Sequence, residues 1–89
     1  MTIRVEKTGD NTYSVTVESG TTTQHTVTLT PDYWQKLTSG RGPAETLIRK
    51  SFEFLLERES NTSILPAFDL LVIQRYFPEY EHTITKRLA

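Results

Sequence analysis

The chain has 89 residues, 36% of them hydrophobic, with 10 Lys and Arg against 11 Asp and Glu and a formal net charge of −1. One domain (1–89) around one core fits that length, and so small a charge gives no general attraction to nucleic acid or anionic membrane. The absence of cysteine excludes disulfides and thiolate metal sites, and no stretch approaches the ~18 apolar residues of a membrane span. MTIRVEKTGD also lacks the apolar core of a signal peptide, so the expectation is a cytoplasmic protein without cofactor or membrane partner.

Residues 1–30 read as a β-meander. Ile3 and Val5 alternate with Arg4 and Glu6, the period of a half-buried strand, and Thr8, Gly9, Asp10 and Asn11 supply a turn. Tyr13, Val15 and Val17 repeat the alternation, so the two segments form a hairpin that Ser19 and Gly20 close. A third strand, Gln24 to Thr30, places His25, Val27 and Leu29 on one face and Thr26, Thr28 and Thr30 on the other.

Residues 31–59 carry two helices. Thr30 as N-cap, Pro31 at the first position and Asp32 at the second start a short helix that directs Trp34 and Leu37 inward and stops at Ser39 and Gly40. The second helix, PAETLIRKSFEFLLER, is the clearest in the chain: Gly42 stands at the N-cap and Pro43 at the first helical position. Ala44, Leu47, Ile48, Phe52, Leu55 and Leu56 fall on one face, and Phe54 widens it. Glu45, Arg49, Lys50, Glu53 and Glu57 form the wet side. One small sheet covers only part of so wide an apolar arc, and the surplus must meet the C-terminal segment or a second chain.

Residues 60–82 read as a C-terminal helical segment. After the polar break Ser60 to Ser63, Ser63 can cap a turn at Ile64, and Asp69 can cap a short helix through Leu70, Ile73, Tyr76 and Phe77 that Pro78 ends. Leu70 to Ile73 also suits a buried strand, and periodicity leaves both open. The tail, 83–89, is expected to be loosely held. The fold class is thus α+β: an antiparallel three-stranded meander, a short helix, a long amphipathic helix and a C-terminal helical segment.

Two resemblances follow from these residues. SFEFLLERE, ILPAFDL and IQRYFPEYE, between Ser51 and Glu81, resemble a small uncharacterised bacterial family, which implies a bacterial source and no activity. Gln24 to Arg58 is similar to the ribbon-helix-helix regulators and antitoxins in its order of strand, Pro-acid helix start, short helix, Gly-containing turn and long helix. That resemblance implies that the strand pairs with its two-fold mate and that Gln24, Thr26 and Thr28 read DNA, with Gly42, Pro43 and Ala44 near phosphate. None of the three reading positions holds Arg or Lys, the commonest base-contacting residues.

Candidate chemistry is sparse. His25, in phase with Val27 and Leu29, reads either as a functional histidine in a dry site or as a partly buried one satisfied by a neighbour or by water, and His82, between Glu79 and Glu81, lacks a ligand-spaced partner. SGRGPAE has neither the glycine spacing nor the Lys of a phosphate-binding loop and reads as a linker, and no serine sits in a nucleophile elbow. YFPEYE gathers Tyr76, Phe77, Tyr80 and Glu81 as a candidate partner-binding cluster; the other reading is that Tyr76 and Phe77 close the end of the core with Tyr80 at its rim. The reading is a non-catalytic bacterial interaction module that binds itself or another protein, with DNA binding as the alternative.

Overall fold

The computed structural model describes residues 1–88, and the fold is α+β. Strands β1 (Thr2–Lys7), β2 (Thr12–Ser19) and β3 (Thr21–Thr28) form the expected antiparallel meander. Ile3 pairs with Val17 and Val5 with Val15, while Tyr13 pairs with Val27 and Val15 with His25, so one face of the sheet collects the apolar side chains. β3 begins three residues earlier than its apolar pattern suggests. Gly20, at φ 76°, lets the chain reverse so sharply that Ser19 lies opposite Thr21.

Helix α1 (Pro31–Thr38) starts as its sequence predicts, with Thr30 Oγ1 accepting from Tyr33 N at 3.2 Å. Its inward residues are Tyr33 and Leu37. Trp34 is only half-buried, and its Nε1 is enclosed without an acceptor among the described residues. Tyr33 is the better core residue because its hydroxyl finds a partner, donating to Glu81 Oε2 at 2.9 Å.

Helix α2 (Ala44–Leu56) starts one residue later than expected. Pro43 occupies the cap, where it can offer no side-chain bond, and Gly42 sits outside at φ 76°. Phe52 and Phe54, two residues apart, project to different sides of the helix. Phe52 lies over the sheet, its ring centroid 5.4 Å from His25. Phe54 packs edge-on against Phe77 at 5.9 Å and Tyr80 at 5.3 Å. The C-terminal segment therefore covers the surplus arc of α2 within this chain.

That segment departs most from expectation. A 3₁₀ turn at Asn61–Ser63 buries Asn61, whose Nδ2 donates to Thr21 O at 2.7 Å and Thr23 Oγ1 at 3.1 Å. The next element is a fourth strand, β4 (Ala67–Asp69), running parallel to β3 with Val27 opposite Phe68. The strand lies just upstream of the ambiguous run: Asp69 ends it, and Asp69 Oδ1 accepts from Leu71 N at 3.2 Å to open the turn into α3 (Val72–Tyr76). Residues 83–88 are not a loose tail. They belong to α4 (Tyr80–Leu88), whose Tyr80 and Ile84 are wholly buried; Ala89 lies outside the described residues. No helix among the described residues is long and apolar enough to cross a membrane.

Candidate functional site

An open apolar groove of about 340 Å³ runs between α3 and the strand-entry segment 63–68. Leu55, Ile64 and Ile73 are its buried residues, Phe68, Val72 and Phe77 are half-buried, and Leu65 and Tyr76 are exposed. Leu65 at 45% and Tyr76 at 67% exposure are two of the three large apolar side chains open to solvent among the described residues. Only Glu59 and Ser63 bring polar side chains to the lining, and Glu59 has no ion-pair partner among the described residues. The volume sits at the lower end of the roughly 300–1,000 Å³ range of sites that take a small molecule or a few side chains.

Local structure holds the groove open. Thr26 N donates to Pro66 O at 2.8 Å, and Leu70 N donates to Thr28 O at 2.9 Å, pinning the segment on both sides of β4. His25 supplies a third tie. Its Nδ1 donates to Leu65 O at 2.8 Å, leaving Nε2 to accept from Thr23 Oγ1 at 2.9 Å. Both ring nitrogens are thereby used, and the ring leans on Phe52, so His25 is a structural residue behind the groove.

The YFPEYE residues divide. Tyr76 and Phe77 line the groove. Tyr80 is wholly buried, so it is neither a partner contact nor a rim residue: its hydroxyl lies 2.6 Å from Ser51 Oγ, and Phe54 flanks the ring. Burial pushes the Tyr80 phenol well above its ordinary pKa. Glu81 is engaged elsewhere, accepting from Tyr33 and lying 3.2 Å from Lys36 Nζ. Burial first, and the Glu81 hydrogen bond second, likewise raise the pKa of Tyr33.

The positions assigned to DNA reading are on the outer face of the sheet, but β3 is not an edge ribbon. It pairs with β2 from Thr21 to Thr28 and with β4 from Thr26 to Thr28, so Gln24, Thr26 and Thr28 lie within a four-stranded sheet of one chain. Ser39 to Gly42 is a left-handed helix end and linker, with Ser39 at φ 56°. His82 is exposed, and no group of three or more His, Cys, Asp or Glu among the described residues could hold a metal ion.

Leu65, Phe68 and Val72 were missed as site residues. The signal was ILPAFDLLV itself, more apolar than one short helix needs, with Pro66 setting Leu65 outside regular structure. No protein-family model matches the chain, and neither a curated protein nor a solved structure matches it.

Proposed function

We propose that this chain is a non-catalytic protein-interaction module that self-associates and uses the groove beside α3 to receive apolar side chains of a second protein. The observation that carries the reading is the concentration of exposed apolar surface there, Leu65 and Tyr76 flanking a cleft floored by core residues. Such a patch on so small a protein marks an interaction site, and aromatic residues dominate interface energetics. Half-buried Glu59, without an internal ion pair, selects a partner segment in which Lys or Arg stands beside the apolar anchor. The parallel pairing of β4 supports this over the ribbon-helix-helix alternative, because a two-fold ribbon needs the edge of β3 that β4 holds.

Selection of a displayed random-peptide library on the protein, with a Leu65→Asp variant as counter-target, tests the groove. Leu65 is exposed, so the variant keeps its fold. The expected outcome is enrichment of an aromatic or aliphatic residue next to Lys or Arg, with binding lost in Leu65→Asp and in Tyr76→Ala. Peptides that bind all three proteins equally, or no enrichment, would overturn the assignment.

A further inference from the structure

The sheet has one long free edge, and its chemistry is self-complementary. Thr8 N donates to Thr12 O at 2.9 Å, closing the β1–β2 hairpin with a hydrogen-bonded pair. Hydrogen-bonded and open pairs alternate in an antiparallel ladder, so Glu6, Arg4 and Thr2 also turn their backbone groups toward β2. Ile3, Val5 and Lys7 turn theirs outward. The reach of Arg49 to Ile3 O, over the edge of the sheet, agrees with that parity. On this side neither Val5 nor Lys7 has a backbone partner among the described residues, and β1 is the terminal strand of the sheet.

We infer that β1 pairs antiparallel with β1 of a second copy of this chain, about a two-fold axis at Val5, joining two four-stranded sheets into one. This deepens the self-association part of the reading above and rests on it. The register follows from the side chains. A two-fold axis at Val5 sets Ile3 against Lys7 of the second copy and Val5 against Val5, using all three outward-facing residues. On the outer face it sets Arg4 against Glu6 twice over, in the open pairs where side chains approach most closely. An axis at Arg4 would oppose two arginines, and an axis at Glu6 would oppose two glutamates, so the registers on either side of the Val5 axis are repulsive. Val5 is half-buried and packs on the core, so its pairing adds a small apolar centre to the backbone bonds. Arg49 does not forbid the pairing, because a carbonyl oxygen has two lone pairs and Ile3 O can accept from Arg49 and from an incoming amide together. A contact of one six-residue strand per chain falls at the small end of specific interfaces, so the dimer forms reversibly with concentration.

The experiment is sedimentation velocity of the full chain from micromolar to millimolar concentration, beside Val5→Pro, Arg4→Glu and the double variant Arg4→Glu/Glu6→Arg. The Val5 amide faces away from β2, so proline there removes both central dimer bonds and none within the chain. The expected result is a concentration-dependent dimer in wild type, a monomer with an unchanged far-ultraviolet spectrum for Val5→Pro, loss of dimer in Arg4→Glu, and its return in the double variant. Arg4 also lies 2.8 Å from Glu18 Oε1, and recovery in the double variant separates the intermolecular pair from that internal one. A dimer that survives Val5→Pro would overturn the edge pairing while leaving self-association standing, and its loss in Tyr76→Ala would move the contact to the groove. A wild-type monomer at every concentration would sink self-association and the edge pairing together, leaving the groove assignment to its own test.

Discussion

The two flanks of α2 are covered by regions built on different terms. On one side the β1–β3 meander folds through neighbours in sequence, with short turns joining strands whose alternation is visible residue by residue. On the other, residues 60–88 contribute a turn, a short strand and two helices whose partners lie far along the chain. Ser51 meets Tyr80, Tyr33 meets Glu81 and Val27 meets Phe68. The first region carries its own pattern; the second takes its structure from what it packs against. It is also the region that forms the groove.

Phe52→Ala should give the largest effect, because this wholly buried ring joins the two regions, contacting His25 on β3 and Phe68 on β4, 6.0 Å away. Truncating such a residue costs about 3–5 kcal/mol, against a total stability of about 5–15 kcal/mol. Thermal melting should show an unfolded or barely folded protein. A midpoint within a few degrees of wild type would mean that the regions do not depend on a shared core.

Ile84→Ala tests the second region alone. A loosely held tail would not notice the change, whereas a wholly buried isoleucine truncated to alanine costs about 2–5 kcal/mol. Chemical denaturation should show the transition move to lower denaturant as one cooperative step. A biphasic transition would instead mean that α4 detaches before the sheet.

This division explains what could be read in advance. β1, β2, α1 and α2 announce themselves through period two, period 3.6 and the Thr30–Pro31 helix start. The start of β3 was hidden because Thr21 to Thr23 are polar, their strand state imposed by pairing with β2. β4 has three residues, too few for a period, and exists because β3 offers it an edge. Asn61 looked like part of a polar break, since nothing local reveals that its amide serves backbone and hydroxyl oxygens of the hairpin. For α4 the signal was present, since Tyr80, Ile84 and Leu88 recur every four residues, but they stand among charged residues that change from acidic to basic, the composition of a solvated tail. Of the groove lining, Tyr76 and Phe77 stood out in the sequence as part of the YFPEYE cluster. Leu65 and Phe68 became site residues only once β4 placed them beside α3.

Alkaline pH probes the contacts of the second region more gently. Tyr80 and Tyr33 both have phenol pKa values raised in the fold, Tyr80 by burial and Tyr33 by burial and then its bond to Glu81. Their contribution is fully present below the unfolded value of about 10 and falls as pH rises above it, where the unfolded chain loses protons that the folded chain keeps. For Tyr80 the expected loss is about 1.4 kcal/mol per pH unit above that point. Denaturation series at rising alkaline pH should show the decline, and Tyr80→Phe should flatten it. An equal slope in wild type and variant would mean that water reaches the phenol in the folded protein.

The smallest effect should come from Arg87→Ala, although its contact looks the most specific of the second region. The guanidinium meets Glu57 through two bonds, Nη1 at 2.8 Å and Nη2 at 2.9 Å, and the Arg87 hydrogen bond is the leading cause that holds the Glu57 carboxyl below its ordinary range. That contribution is present above the ordinary carboxylate pKa and is lost as pH falls through the depressed one. Yet the Glu57 side chain is 50% exposed and Arg87 31%, so water and salt screen the pair and its worth is about 0.2–1 kcal/mol. Denaturation at low and high salt should therefore show a small loss for Arg87→Ala that shrinks further in salt, far below that of Ile84→Ala three residues earlier. A loss as large as that of Ile84→Ala would mean that α4 is held on α2 by its ion pair and not by its buried side chains.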